Sequence, residues 1–248
     1  MSNQQEITQK ELIELRTAIK RELRESPPTI GLVGVSGVGK STTINTLFKT
    51  ELPTSDTVAC TKDFEAIDLQ LKLNKGEMEG ETTQLRIIDA PGLGENILND
   101  PKYIRRYKRH LPNCDLIIRI FSARNRAVAL DQYYLKELSS FHNNMVFALN
   151  QVDIVEPMNW DNRINLPSEE MEVNIQIIEK DRAEKLSNIL QSNLDIISYS
   201  AKHGFNLEQL FYMVVEKAPQ NRRWIFDGLK NFSYSDFIPE GVRGYLMD

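Results

Sequence analysis

The chain contains few of the residues that build disulfide-stabilised, metal-binding or membrane-spanning proteins. Its two cysteines, Cys60 and Cys114, form no CxxC pair, which excludes a disulfide framework and argues against a cysteine zinc site. Its three histidines have no carboxylate or cysteine at ligand spacing, so we expect no structural metal site. The longest apolar run, residues 210–215, has six residues against the ~20 of a membrane helix, and we expect no transmembrane helix.

Excess positive charge and a disorder-promoting composition are also absent. Thirty Lys and Arg residues against 35 Asp and Glu residues give a net charge of −5, which disfavours nucleic-acid binding by the whole surface but permits a local basic patch. Hydrophobic residues make up 41% of the 248, enough for the core of one large domain with appendages. The N-terminus has acids and amides where a signal peptide has basic residues and an apolar core, so we expect a cytoplasmic protein.

What the sequence does contain is an alternation of β-branched apolar runs with helical stretches. We predict strands at 29–35, 64–73, 85–89, 116–121, 145–150 and 196–198, and helices at about 40–49, 100–110, 128–141, 172–192 and 206–217. A turn at Asn74, Lys75 and Gly76, too short for a crossover helix, joins the second and third strands, which should be antiparallel. The expected fold class is α/β, with a mixed six-stranded sheet that has one antiparallel edge strand and flanking helices.

Two further segments flank this region. Residues 4–25 place apolar side chains at the spacing of an amphipathic helix, which either packs on the domain or serves a partner or a membrane. Pro27 and Pro28 end that helix, since proline lacks an amide hydrogen. The C-terminal segment is rich in aromatic residues without a sustained helical period, and it either docks on the domain or waits for a partner. The predicted division is an N-terminal helix and linker (1–28), the α/β domain (29–218) and a C-terminal extension (219–248).

A phosphate-binding pattern follows the first predicted strand. Residues 34–41, with the sequence GVSGVGKS, match G-x-x-x-x-G-K-[ST] between a strand and a helix. Glycines let the backbone curl so that successive amides cradle phosphate oxygens, helped by the dipole of the next helix. Lys40 would reach the β and γ phosphates, and Ser41 would bind Mg²⁺. The predicted phosphate-binding residues are Gly34, Ser36, Gly37, Val38, Gly39, Lys40, Ser41 and Thr42.

A carboxylate comes at the end of the third predicted strand, the edge at which such sheets bind ligands. Asp89 begins the sequence DAPG at 89–92. It would hold Mg²⁺ through water, and the Gly92 amide would contact the γ-phosphate. These residues extend the predicted site from phosphate binding to metal binding.

Two motifs after later strands indicate the base. Asp153, in NQVD at 150–153, can accept two hydrogen bonds from guanine N1 and its exocyclic amine, a donor pair that adenine lacks. The Ala201 amide, in SAK at 200–202, could donate to guanine O6. The predicted base-contacting residues are Asn150, Gln151, Asp153, Ser200, Ala201 and Lys202. Residues 159–168 are predicted to form a long loop, in which Trp160 either anchors the loop or contacts a ligand.

In this order, the motifs resemble those of the Ras-like G domains and, more closely, of the Era-like bacterial GTPases, specifically their YfjP-like subgroup. The segment DTVACT at 56–61 adds to the resemblance, and the subgroup tolerates Gln151 in place of lysine. The resemblance implies a P-loop G domain that binds GTP and GDP with Mg²⁺ and hydrolyses GTP as a molecular switch. It also implies that Thr61, or alternatively Thr57, contacts Mg²⁺ and the γ-phosphate. The implied catalytic set is Lys40, Ser41, Thr61 and Gly92, and the implied metal ligands are Ser41, Thr61 and Asp89.

Three positions depart from the family pattern. Leu93 stands where Ras-like enzymes place a water-orienting glutamine, so hydrolysis should be slow, use another residue or need a partner. Gly37 stands where potassium-activated relatives carry asparagine, which argues against a potassium-dependent mechanism. Gln151 lacks the charged stem that packs near the ribose and the P-loop, which can weaken guanine affinity. The alternative function is therefore a guanine-nucleotide-binding interaction module with negligible hydrolysis.

Arginines follow the fourth predicted strand near its phosphate end. Arg126, followed by Ala127 and Asp131, echoes a further pattern of the subgroup. Arg124 or Arg126 acts either as an arginine finger on the transferring phosphoryl group or as part of a structural ion pair, for instance with Asp131. The sequence leaves both roles open.

A basic segment follows the second phosphate motif. Residues 102–110 carry five positive charges on a predicted helix, with aromatic residues between them. They either contact RNA or the ribosome, or form a solvated helix face whose Tyr103, Ile104 and Tyr107 turn to the core. A homodimer and an activating protein are further candidate partners. The last alternative is the G-domain component of a dynamin-like membrane-associated assembly, so peripheral membrane association stays open.

Overall fold

A mixed six-stranded sheet is the centre of the fold. The computed structural model describes residues 8–52, 65–76, 78–89, 93–94, 98, 100–124 and 128–240. Its strands are β1 (Thr29–Val33), β2 (Glu65–Lys72), β3 (Thr82–Asp89), β4 (Leu116–Ser122), β5 (Met145–Asn150), β6 (Trp160–Asp161), β7 (Leu166–Pro167) and β8 (Ile196–Ser198). The sheet has the order β2-β3-β1-β4-β5-β8, with β2 antiparallel to β3 and the other pairs parallel. The predicted sheet with one antiparallel edge strand is confirmed.

Helices flank the sheet and precede it in the chain. They are α1 (Gln9–Glu25), α2 (Lys40–Phe48), α3 (Asp100–His110), α4 (Ala129–Glu137), α5 (Glu169–Leu190), α6 (Leu207–Lys217) and α7 (Arg223–Gly228). The predicted helix at 128–141 is too long, since α4 ends at Glu137 and the 3-10 helix Ser139–Asn144 follows. Helix α5 begins at Glu169 rather than 172 because Ser168 caps it, its hydroxyl accepting a hydrogen bond from the Met171 amide. No helix among the described residues is both long and apolar enough to cross a bilayer.

Two parts of the fold differ from the sequence-based expectation. The segment predicted to be a long loop, 159–168, contains the hairpin of β6 and β7. The C-terminal extension, which shows no helical period, contains α7 and the 3-10 helix Tyr234–Phe237. Strands of two residues and a helix of six residues are too short to produce a periodic pattern in sequence.

Apolar side chains form one layer on each face of the sheet. Successive residues of β4 face opposite sides, so Ile118 and Ile120 belong to the first layer and Ile117 and Phe121 to the second. Residues of α1, α2, α6 and α7 complete the first layer, and residues of α3, α4 and α5 complete the second. With both faces covered, the loops after the parallel strands are left to form a binding edge.

Both flanking segments contact the first layer. In α1, Leu23 is buried there, whereas Leu12, Ile13 and Leu15 are exposed. The extension buries the side chains of Ile225, Phe226, Leu229 and Phe232. Arg222 adds polar contacts, since its Nη1 donates to Asp115 Oδ1 at 2.9 Å and its Nη2 donates to the Ser26 carbonyl. The extension therefore docks on the domain, and the division at residues 28 and 218 stays a prediction.

Candidate functional site

The phosphate loop joins β1 to α2, and its glycines adopt backbone angles that other residues avoid. Gly37 and Gly39 have φ values of +79° and +86°, in the left-handed region. A Cβ on Gly39 would lie 2.4 Å from Asn150 Nδ2, so this position has no room for a side chain. The first turn of α2 carries Lys40, Ser41 and Thr42, all half-buried. Helix α2 thus begins at the loop, and a helix N-terminus favours phosphate binding.

The remaining predicted phosphate-binding residues differ in exposure. Gly34 and Val38 are buried, and Ser36 is exposed. The Asn150 side chain contacts the loop from the sheet side, because its Nδ2 donates to the Val38 carbonyl. Asn150 therefore fixes the loop on the side that faces the sheet.

Asp89 ends β3 beside this loop. β1 and β3 pair in parallel, with Gly31 opposite Ile88, so the carboxylate lies at the same sheet edge as residues 34–41. The Asp89 side chain is 2% exposed. Burial first, and then the Asp89 charge, raise the pKa of Tyr107 on α3 above its ordinary value. A serine hydroxyl and a carboxylate are oxygen donors of the kind that Mg²⁺ prefers, so Ser41 and Asp89 fit the predicted metal site.

Other predicted ligands lie outside the described residues. These are Thr61, its alternative Thr57, and Gly92. Within the described part of the chain, no group of three or more His, Cys, Asp or Glu residues could hold a metal ion. The roles predicted for Thr61 and Gly92 stay predictions.

Asn150 connects the phosphate loop to the loop after β8. Its Nδ2 donates to the Val38 carbonyl at 2.9 Å, and its Oδ1 accepts from the Ala201 amide at 3.0 Å. The side chain is 3% exposed, so both hydrogen bonds are shielded from water. The Ala201 amide is thus already donated to Asn150. This bond competes with the contact to guanine O6 predicted for that amide, and the contact stays a prediction.

Gln151 reaches the phosphate loop despite its short neutral side chain. Its Nε2 donates to the Gly37 carbonyl at 2.8 Å, and its Oε1 accepts from Ser122 Oγ at the end of β4. Its backbone is left-handed, with φ of +67°. The absence of a lysine at this position put a contact with the P-loop in doubt. The side-chain amide of Gln151 makes such a contact. Ser122 was not predicted, although its place at a strand end is the signal that could have found it.

Asp153 is oriented by the loop after β8. Ser200 Oγ donates to Asp153 Oδ1 at 2.7 Å, and Ser200 Oγ also accepts from the His203 amide at 3.2 Å. Asp153 is half-buried, and Lys202 is exposed. The structure thus brings residues 150–153 and 200–203 to one edge, next to the phosphate loop.

Leu93 lies in the core instead of facing the phosphate site. It forms an isolated parallel bridge with Val35, in which the Ser36 amide donates to the Leu93 carbonyl at 3.1 Å. The Leu93 amide donates in turn to the Gly34 carbonyl at 3.3 Å. Its side chain is 0% exposed and belongs to the second apolar layer. The position that Ras-like enzymes use to orient water therefore cannot contact solvent here.

Asp131, considered above as a partner for Arg124 or Arg126, belongs to a buried ion cluster. Asp131 on α4 pairs with Arg119 on β4 at 3.2 Å and with Arg182 on α5 at 3.1 Å. Arg124 is exposed, and Arg126 lies outside the described residues. Burial lowers the pKa of Arg119 and raises the pKa of Asp131, while their opposite charges counteract both shifts. An arginine inside an apolar strand, Arg119, was the sequence signal for this cluster.

The basic helix α3 turns its rings inward. Ile104 and Tyr107 are buried and Tyr103 is half-buried against the second layer, so Tyr107 is unavailable for stacking on bases. Lys108 pairs with Glu137 at 2.9 Å. Lys102, Arg105 and Arg109 are exposed, like Lys108, and they have the spacing of one helix face. The inward orientation of Tyr103, Ile104 and Tyr107 agrees with the interpretation of α3 as a solvated helix face. The outer face of α3 is a basic surface.

Together, the sheet order and the phosphate loop between β1 and α2 define a P-loop nucleotide-binding domain of the G-domain type. A family model described as 50S ribosome-binding GTPase matches residues 29–151. The Escherichia coli (strain K12) protein YfjP is 35% identical over 144 residues, which cover 57% of this chain and 47% of YfjP. GTPase Era from Caldanaerobacter subterraneus subsp. tengcongensis is 24% identical over 200 residues, 80% of this chain and 57% of that protein.

A solved structure is similar in fold. A crystal structure of Era in complex with MgGDPNP and a segment of 16S ribosomal RNA aligns with a TM-score of 0.53 and 20% identity, covering 78% of this chain and 57% of the other. The chain is therefore similar in sequence to the Era-like bacterial GTPases and to YfjP. It spans about half the length of the E. coli relative it matches.

Proposed function

We propose that the protein binds GTP and GDP and hydrolyses GTP to GDP and phosphate as a nucleotide-dependent switch. The observation that carries this proposal is the set of side-chain hydrogen bonds from Asn150 and Ser200, which joins the phosphate loop to the two base motifs. Asn150 bridges Val38 and Ala201, and Ser200 orients Asp153. A fixed carboxylate beside a phosphate cradle selects guanine, because only guanine offers it two adjacent donors.

Charge stabilisation by the phosphate loop would carry the chemistry. The amides of residues 34–41 and the Lys40 ammonium would bind the β and γ phosphates, where negative charge shifts during transfer. Ser41 would bind Mg²⁺ directly and Asp89 through water, with Thr61 as the third ligand of the GTP state. The bound Mg²⁺ would neutralise part of the negative charge of the phosphates. Thr61 and Gly92 would hold their loops while the γ-phosphate is present and release them afterwards.

Hydrolysis by the protein alone should be slow. Leu93 is buried and pinned to β1, so no side chain at this position orients the attacking water. We propose that an activating protein or a second copy of the chain provides the missing group. The same observation favours the alternative, a guanine-nucleotide-binding interaction module with negligible hydrolysis.

Two assays on one sample test these proposals. Calorimetry with Mg²⁺ and GTP, GDP or ATP should show guanine-selective binding that Asp153→Ala abolishes and Asp195→Ala, a change of an exposed carboxylate near β8, leaves intact. Phosphate release over many turnovers should then be slow and should disappear in Ser41→Ala. Tight guanine binding without any release would favour the interaction module. Binding without guanine preference would overturn the proposed specificity.

We further propose that the exposed face of α3 contacts RNA. Its cations Lys102, Arg105 and Arg109 would bind phosphates. The family model that matches residues 29–151 is described as a ribosome-binding GTPase. Changing all three to alanine should reduce the slope of log affinity against log salt for a single-stranded RNA by about 2. The matched control changes Lys10, Arg21 and Arg24, exposed cations of α1, to alanine. Equal effects of both triple variants would refute a specific α3 surface.

The cellular setting is also a proposal. We propose a cytoplasmic location, and a dynamin-like assembly on a membrane surface would need other chain segments or subunits. Co-sedimentation with anionic vesicles should leave the protein in the supernatant, with and without GTP. Pelleting that depends on GTP would favour the membrane-associated alternative.

A further inference from the structure

The base-recognition loop, residues 200–205, is held on its inner side by contacts within the proposed nucleotide site. The Ser200 amide donates to the Phe205 carbonyl at 3.1 Å, which closes the loop. Thr46 Oγ1 on α2 donates to the Ala201 carbonyl at 3.1 Å. Together with the Asn150 and Asp153 contacts, these bonds fix the loop against the sheet. The side of the loop that faces away from the sheet has other contacts.

Asn165, in the turn between β6 and β7, contacts the outer side of this loop. Its Nδ2 donates to the His203 carbonyl at 2.6 Å, and its Oδ1 lies 3.2 Å from His203 Nδ1 and accepts from Trp160 Nε1 at 3.2 Å. Asn165 is 2% exposed and has φ of +57°, a conformation that asparagine tolerates better than most residues. Every polar atom of its amide group therefore serves to join the hairpin to the loop.

Trp160 covers the same loop with its ring. Its centroid lies 4.7 Å from that of His203 and 5.5 Å from that of Phe205, which it meets edge to face. The hairpin of β6 and β7 thus contacts the loop through a hydrogen-bonded amide and an aromatic ring. Neither contact touches the phosphate loop.

The C-terminal extension contacts both the hairpin and the loop. Tyr234 donates its hydroxyl to the Ile164 carbonyl at 3.1 Å. The Phe237 ring lies against Gly204, where a Cβ would come within 2.5 Å of three ring atoms. Gly204 also has φ of +67°, so the turn is shaped for this ring. Asp236 pairs with Lys49 at the end of α2 at 3.0 Å, which anchors the extension beside the site.

We propose that Asn165 and Phe237 are positioning residues for guanine recognition, and that the C-terminal extension sets the affinity for the base through the loop at 200–205. This inference rests on the proposed function. Since the loop orients Asp153 through Ser200, loosening its outer side would misplace the carboxylate that selects guanine. Phosphate contacts, which come from the other end of the site, would be unaffected.

The test compares GDP with ADP, because ADP shares the phosphate contacts but not those to guanine. Asn165→Ala and Phe237→Ala should each raise the Kd for GDP about tenfold and leave the Kd for ADP unchanged, which corresponds to about 1.4 kcal/mol for the base contacts alone. Trp224→Ala is the matched control, because Trp224 is an aromatic residue of the same extension on α7 and has no described contact with the loop. It should leave both affinities unchanged.

The possible outcomes separate the inference from the proposed function. Equal loss of GDP and ADP affinity, or no loss in either variant, would overturn the inference while GDP selectivity of the unmodified protein stands. If the unmodified protein does not prefer GDP over ADP, the proposed function fails and the inference with it. Thermal midpoints identify a variant that does not fold, and Phe237→Ala, which alters a partly buried ring, is then decisive in place of Asn165→Ala.

Discussion

Replacing Leu93 with glutamine is expected to destabilise the protein without accelerating GTP hydrolysis. Comparison with Ras-like enzymes alone would suggest the opposite, since glutamine at this position orients the attacking water. In this structure, backbone hydrogen bonds to Gly34 and Ser36 hold the residue in a bridge with Val35. A glutamine side chain would therefore enter the second apolar layer and would not reach the phosphate site.

The cost follows from the burial of this side chain. Leu93 is 0% exposed, so the change forfeits about 1.5–3 kcal/mol of apolar transfer free energy. Burying an amide without partners adds about 1–3 kcal/mol. We expect the free energy of unfolding to fall by about 3–5 kcal/mol, which for a chain of this size lowers Tm by about 6–20 °C.

Thermal unfolding and phosphate release measure the two effects separately. Leu93→Met is the control, because a volume-conserving apolar exchange should cost less than about 1.5 kcal/mol and leave turnover unchanged. The reasoning would be refuted by a Leu93→Gln variant that turns over about tenfold faster with a Tm near that of the unmodified protein. Such a result would mean that residue 93 leaves the core when GTP binds.

Three further predictions concern single residues. Gly39→Ala should abolish nucleotide binding in calorimetry, because the new Cβ would collide with Asn150. Gly37→Ala has a similar φ but open space around the new Cβ, so it should retain measurable binding. Similar losses of affinity in both variants would contradict this steric argument. Asp131→Ala should lower the free energy of unfolding in urea by about 3–5 kcal/mol, because two buried guanidinium groups lose their counter-ion, and a loss below about 1 kcal/mol would speak against it. Burial lowers the pKa of His203, so the unfolded chain takes up a proton more readily and stability should be lost as pH falls below the ordinary value of 6.5. Thermal midpoints between pH 8 and pH 5 should show this loss in the unmodified protein, and an equal loss in His203→Gln would assign it to other groups.

The sheet and the motif-bearing loops could be predicted because each depends on neighbouring residues. Apolar β-branched runs identify the strands, and the short turn after Asn74 leaves room only for an antiparallel partner. The phosphate loop needs glycines at fixed positions between a strand and a helix, so a pattern of eight residues, 34–41, contains most of the required information.

Contacts between distant segments could not be predicted in the same way. Asp131 was considered as an ion-pair partner for Arg124 or Arg126, which are near it in the chain. Among the described residues, Asp131 pairs with Arg119 and Arg182. Arg182 is 51 residues away in the chain, and the pairing depends on how α4 and α5 pack on the sheet. The burial of Leu93 likewise depends on a bridge to β1 that local sequence does not specify.

The sequence by itself determined the fold class, the order of the motifs and the edge of the sheet at which they meet, because hydrophobic periodicity and glycine geometry act over a few residues. The tertiary structure alone decided which side chains hold those motifs together. Asn150 meets Ala201, and Asn165 meets His203, only after β5 and β8 pair in register and the hairpin folds back over them. A hydrogen bond needs its two atoms within about 3 Å, and only the packed chain sets such distances between residues far apart in sequence.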